Sequence, residues 1–135
     1  MTDISRAAPS RRRTIIVWVL TALAIVAFAG AGLSKLSGSA DMVTAFNAFG
    51  FPLWFMTLVG LAEVAGAVAL LLPPIAFIGG LGLMGVAGGA FITHIANGDS
   101  FGTAIPSIVL FVLITVVTWL RGRNFARTAT NIFGQ

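Results

Sequence analysis

Residues 53–72 read LWFMTLVGLAEVAGAVALLL, an apolar run with one ionisable side chain, Glu63, near its middle. About 20 apolar residues in a helix are enough to cross ~30 Å of hydrocarbon. A carboxylate at that depth is costly in lipid and marks a candidate functional residue. The stretch therefore predicts a membrane-spanning helix that carries an acidic group at mid-depth.

The sequence on either side of this run has the same character. Between Arg13 and Arg121 the charged residues are Lys35, Asp41, Glu63 and Asp99, and the whole chain is 58% hydrophobic and 9% charged. Such a composition leaves too little polar surface for a water-soluble protein. Three further spans are predicted at about residues 15–33, 75–95 and 104–120. Because the backbone in lipid must satisfy its own hydrogen bonds, we expect an all-α antiparallel bundle of four transmembrane helices.

The basic residues predict how the bundle is oriented. Seven of the eight Lys and Arg residues flank its two outer ends: Arg6, Arg11, Arg12, Arg13, Arg121, Arg123 and Arg127. Positive charge favours the cytoplasmic side, so we expect basic cytoplasmic tails at residues 1–13 and 121–135 around a membrane domain at 14–120. This predicts a multi-pass protein of the plasma (inner) membrane. A cleavable secretory signal ending near Ala27-Phe28-Ala29 is the competing interpretation, and it would leave three spans.

Three polar residues inside or beside the spans are candidates for ligand binding or proton linkage: Glu63, His94 and Lys35. In the expected topology Lys35 and His94 end their helices on the outer side, with Glu63 beneath them. Each also has a structural interpretation: interhelical hydrogen bonding for Glu63, extension to the lipid headgroups for Lys35, and a structural hydrogen bond for His94. With one His and no Cys, we predict no metal site, and no complete catalytic constellation is visible.

Glycines in the second and third spans predict close helix packing. Gly60 and Gly66 lie on the face of Glu63, where small side chains let another helix approach. Gly82, Gly85 and Gly89 form a stripe that predicts contact with another helix or a second copy of the chain. A nucleotide-binding loop is excluded there because these glycines lie inside a span. Nucleic-acid binding is not expected either, since no basic patch alternates with aromatic residues.

Several short motifs, taken in order, resemble the DoxX and DoxX-like proteins. They are Gly32-Leu33-Ser34-Lys35-Leu36, Phe49-Gly50-Phe51-Pro52, Gly60-Leu61-Ala62-Glu63-Val64-Ala65-Gly66 and Leu70-Leu71-Leu72-Pro73, followed by His94 and Pro106. The resemblance covers roughly residues 14–120. It implies a four-helix membrane bundle with Lys35, Glu63 and His94 as shared polar positions. Members of the family are linked to quinone-dependent sulfur oxidation, to complexes handling oxidative and thiol stress, and to receptor assembly.

The resemblance leads to a hypothesis of an accessory membrane protein, a subunit of a quinone-linked redox or oxidative-stress complex. Whether the chain is itself an enzyme stays open. Quinone is the cofactor that the resemblance suggests, and the expected partners are the lipid bilayer and a membrane protein or a second copy. Two alternatives remain: an assembly or structural bundle without a ligand, and a small proton-coupled exporter. The exporter is less favoured because the first span here contains no acidic residue.

Overall fold

In the computed structural model, residues 10–133 are described, with side chains for residues 10–123. The described range contains five helices and no strand: α1 (Arg11–Leu36), α2 (Ala40–Ala48), α3 (Leu53–Leu71), α4 (Ala76–Ala96) and α5 (Phe101–Phe133). Four of them are long and apolar enough to cross a membrane, namely α1, α3, α4 and residues 101–123 of α5. The predicted all-α fold with four membrane-spanning helices is confirmed.

Two helices extend beyond the spans expected from the sequence. Helix α1 begins at Arg11, where the Ser10 side chain accepts a hydrogen bond from the Arg13 backbone N–H. Helix α5 begins at Phe101 and continues to Phe133. The span expected at residues 104–120 would place Pro106 in the first turn of its helix, but Pro106 lies in the second turn of α5. Its missing N–H deprives the Gly102 carbonyl of the usual helical partner. Arg6 and the side chain of Arg127 lie outside the described residues.

The four long helices pack in the order α1, α3, α4, α5, with α5 returning to α1. Their shared core runs from the middle of the bundle toward the Pro73-Pro74 turn. It consists of buried residues from all four helices: Ala24, Phe28, Ala67, Leu70, Leu83, Ala87, Ile114 and Val117. We call this the packed half. The opposite half contains the ends of α1 and α4, and α2 packs there against α1 and α3.

At that opposite end, α1, α2 and α4 all finish with the same cap. Each cap places a glycine at positive φ: Gly38, Gly50 and Gly98. After α4, the Gly98 N–H bonds the Ile95 carbonyl and the Asp99 N–H bonds the His94 carbonyl, which is the Schellman arrangement. This cap turns the chain sharply and places Asp99 beside His94.

Helices α1 and α3 approach closely at Gly32 and Gly60. A Cβ on Gly32 would lie 2.8 Å from the Gly60 carbonyl oxygen, and a Cβ on Gly60 would lie 3.0 Å from the Gly32 carbonyl oxygen. Neither backbone can yield without separating the helices. The two glycines therefore set the distance between α1 and α3.

Replacing Gly60 with leucine is expected to lower the free energy of unfolding by about 1–3 kcal/mol, the usual cost of overpacking. The measurement is thermal or SDS-induced unfolding of the detergent-solubilised protein. Gly30→Leu is the matched control, because a Cβ on Gly30 of α1 would meet nothing within 4 Å. Equal stabilities for the two variants would contradict the close approach.

Candidate functional site

A buried ion pair joins α1 to α3. The Lys35 Nζ lies 2.8 Å from Oε2 and 3.1 Å from Oε1 of Glu63. Only 12% of the Lys35 side chain and 6% of the Glu63 side chain are exposed. Lys35 follows Gly32 by three residues and Glu63 follows Gly60 by three. Because α1 and α3 run in opposite directions, each charged residue faces the glycine of the other helix: a Cβ on Gly32 would lie 3.1 Å from the Glu63 Cβ, and one on Gly60 would lie 3.0 Å from the Lys35 Cβ. The glycines thus bring the two charges within bonding distance.

The pair lines a cavity of about 650 Å³ in the half of the bundle away from the Pro73-Pro74 turn. Its walls come from all five helices, and they are mostly apolar. Five phenylalanines contribute to them: Phe28, Phe46, Phe49, Phe51 and Phe55. Phe46, Phe51 and Phe55 pack ring against ring, with centroids 5.1–6.4 Å apart. Small residues such as Ala31, Ala45 and Ala62 line the remaining space and leave it open.

His94 also lines this cavity, near the end of α4. Its Nδ1 lies 2.7 Å from Oδ2 of Asp99, and its ring meets Phe49 edge-on with centroids 5.2 Å apart. A carboxylate at Nδ1 holds a proton on that nitrogen, which leaves Nε2 as the free hydrogen-bonding atom of the ring. The structure therefore places Lys35, Glu63 and His94 around one cavity.

Other polar residues near this end of the bundle differ in whether they line the cavity. Thr93 lines the cavity and its hydroxyl donates to the Gly89 carbonyl. Ser34, Asp41 and Asn97 are exposed and do not line it.

The glycines predicted to pack helices fall into two groups. Gly60 contacts α1, and a Cβ on Gly66 would lie 2.6 Å from the Leu83 side chain, so both support close packing. Gly82, Gly85 and Gly89 do not contact another helix of the described chain: a Cβ on each would meet nothing within 4 Å. They line the cavity instead. Their contact with a second copy stays a prediction.

Sequence reasoning missed a second polar contact, at the other end of the bundle. The Arg121 side chain of α5 donates to Oγ1 of Thr21 at 3.4 Å and to the Leu70 carbonyl at 3.2 Å. Its guanidinium lies 4.5 Å from the centre of the Trp18 ring. Arg121 was expected only as a flanking charge, yet it is buried and ties α5 to α1 and α3. No periodicity in the sequence distinguishes it from Arg123.

The cavity can bind a ligand through hydrogen bonds from a few polar side chains set in apolar walls. Among residues 10–123, no three His, Asp or Glu side chains lie close enough to hold a metal. The Lys35 ammonium has three N–H donors, and its contact with the Ala31 carbonyl is long, at 3.4 Å. A ligand carbonyl can replace that weak contact. The Glu63 carboxylate supplies acceptors, and Nε2 of His94 supplies a further hydrogen-bonding atom.

One of three comparisons with known proteins finds a match for this chain. No curated protein and no solved structure matches the chain at a significant level. The family model described as the DoxX-like family matches residues 19–120. The matched range covers α3 and α4 completely and most of the spans in α1 and α5, and it includes Lys35, Glu63 and His94. The chain therefore belongs to the DoxX-like family.

Proposed function

We propose that this multi-pass membrane protein binds the ring of a quinone-class molecule in its cavity and serves as an accessory subunit for a redox partner. One observation carries the proposal: an apolar, phenylalanine-lined cavity of about 650 Å³ contains a buried Lys35–Glu63 pair. That volume lies within the usual range of small-molecule sites, roughly 300–1,000 Å³. The apolar walls suit a flat ring, and the Lys35–Glu63 pair supplies the polar contacts.

The polar groups match both redox states of such a ring. An oxidised quinone has carbonyl oxygens, which accept hydrogen bonds, and the Lys35 ammonium can donate one. A reduced quinol has hydroxyls, which can donate to the Glu63 carboxylate or to Nε2 of a neutral His94. The cavity thus offers complementary groups before and after a two-electron, two-proton change in the ligand.

A partner is part of the proposal because electrons must come from elsewhere. The chain has no cysteine, so thiol–disulfide exchange within it is excluded. We propose that the partner docks at the membrane. We also retain the orientation suggested by the basic residues. Arg121 contacts Trp18 and Thr21, so the beginning of α1 and the end of the α5 span share one end of the bundle. That end would face the cytoplasm, in the plasma membrane.

An assembly protein without a small ligand is the second candidate. The observation in its favour is the open glycine face at Gly82, Gly85 and Gly89, which is suited to contact with another helix. A proton-coupled exporter is less favoured, because a transported cation would have to displace Lys35 from Glu63.

The test is equilibrium binding of a radiolabelled benzoquinone with a short alkyl chain to the protein in nanodiscs, with empty nanodiscs subtracted. Hydrogen bonds to charged groups contribute about 1.5–3 kcal/mol, so Lys35→Met/Glu63→Met is expected to weaken binding about 10- to 100-fold. Ser34→Ala, an exposed neighbour outside the cavity, should bind like the original protein. Binding by the original protein no greater than that of empty nanodiscs would refute the proposal.

A further inference from the structure

Helices α3 and α4 are in close contact toward the Pro73-Pro74 turn. A Cβ on Gly79 would lie 2.5 Å from the Ala69 side chain, and one on Gly66 would overlap Leu83. These contacts close the space between the two helices in the packed half. Helices α3 and α4 are neighbours around the bundle. Any gap between them farther from the turn therefore opens to the outside of the bundle.

Farther from the turn, both helices present small, exposed residues at the edge of the cavity. On α4 these are Gly82, Gly85 and Gly89, and a Cβ at any of them would meet no neighbour. On α3, Ala62 is exposed and also lines the cavity. Both walls belong to membrane-spanning segments. The cavity therefore opens sideways, between α3 and α4, at the depth of the lipid hydrocarbon.

We propose that this opening is a binding groove for the apolar chain of the ligand, with Gly85 and Ala62 as the residues that admit it. The inference rests on the proposed function and narrows the ligand to a ring that carries an isoprenoid or long alkyl chain. The groove is continuous with the cavity and apolar along its length, and it leads into hydrocarbon. An apolar chain fits all three features.

The groove also defines the route of entry. The isoprenoid or alkyl chain of a ligand lying in the groove stays in hydrocarbon before and after binding. Binding therefore does not expose that apolar chain to water. The ring then moves sideways from the bilayer and reaches the Lys35–Glu63 pair without passing α2. Leucine in place of Gly85 would fill the groove, because a Cβ on Gly85 would meet nothing within 4 Å.

The test compares two radiolabelled benzoquinones in nanodiscs, one with a long isoprenoid chain and one with only methyl substituents. For Gly85→Leu, the affinity for the long-chain probe is expected to fall about tenfold or more, a change of ~1.4 kcal/mol. The methyl probe should keep its affinity. Ala62→Leu closes the groove from the other wall and should act in the same way. Gly30→Leu, on the lipid-facing side of α1, should change neither affinity.

The outcomes separate the two proposals. If the original protein binds both probes and neither groove variant affects the long-chain probe, the groove is refuted while quinone binding stands. An equal loss for both probes would mean that leucine fills the ring site, which also refutes the groove. If copies bearing Gly85→Cys form a specific disulfide dimer, the face holds a second copy and not a chain. If the original protein binds neither probe, the proposed function fails and the groove fails with it.

Discussion

Replacing Lys35 with methionine is expected to lower the free energy of unfolding by about 3–5 kcal/mol, the range found when one partner of a buried ion pair is removed. Methionine retains the apolar length of the side chain, so the loss reports on the charge. The remaining Glu63 carboxylate would lie in an apolar cavity, 4% exposed, without its cation. The measurement is reversible unfolding in detergent, because the change should appear as a shift of the transition midpoint.

The double variant Lys35→Met/Glu63→Met tests whether the loss comes from the unpaired charge. Replacing both members of a buried pair with apolar side chains is often neutral or stabilising. We therefore expect the double variant to recover to within about 1 kcal/mol of the original protein. Additive losses from the two single changes would contradict coupling between Lys35 and Glu63.

Replacing Arg121 with methionine is expected to cost about 2–3 kcal/mol, since hydrogen bonds to a charged group contribute about 1.5–3 kcal/mol. The Leu70 carbonyl lies in the last turn of α3, where carbonyls lack a helical partner, and Arg121 supplies its hydrogen bond. Removing the guanidinium leaves this carbonyl unpaired and releases the contact with Trp18. Unfolding of the variant in detergent measures the effect.

Arg123 provides a matched control on the same helix. Its guanidinium also lies over a tryptophan, 4.9 Å from the centre of the Trp119 ring, but Arg123 is exposed. An exposed cation–π contact contributes only ~0.5–1 kcal/mol, so Arg123→Met should cost less than Arg121→Met. Equal losses would show that the buried hydrogen bonds of Arg121 contribute nothing measurable.

The fold was predictable because the bilayer allows few alternatives. Long apolar runs without the alternation of barrel strands form helices in lipid, and the structure has four helices long enough to span it. The boundaries were less predictable: Ser10 caps α1 ahead of the expected start, and α5 begins at Phe101, five residues before Pro106. Such end positions depend on individual hydrogen bonds, which hydropathy does not record.

The sequence alone was enough to choose Lys35, Glu63 and His94 as candidate site residues. It was not enough to predict which of them contact each other. A buried acid flanked by small residues indicated that Glu63 faces the bundle interior. The direct partnership with Lys35 depends on the register between α1 and α3, and the Gly32–Gly60 approach sets that register. The role of Gly82, Gly85 and Gly89 depends on whether α3 follows α4 along its whole length. A small-residue stripe looks the same in sequence whether it faces a helix or an opening.

If the cavity around Lys35 and Glu63 holds a quinone-class molecule from the bilayer, as we propose, that molecule should stay with the protein when it leaves the membrane. The most direct measurement is native mass spectrometry of the protein extracted from its own membranes, with the released molecule identified by fragmentation. We expect a bound quinone with an isoprenoid chain on the original protein and none on Lys35→Met/Glu63→Met. Detection of the original protein without any bound molecule would contradict quinone binding in the cavity. Detection of the same bound molecule on the double variant would also contradict it.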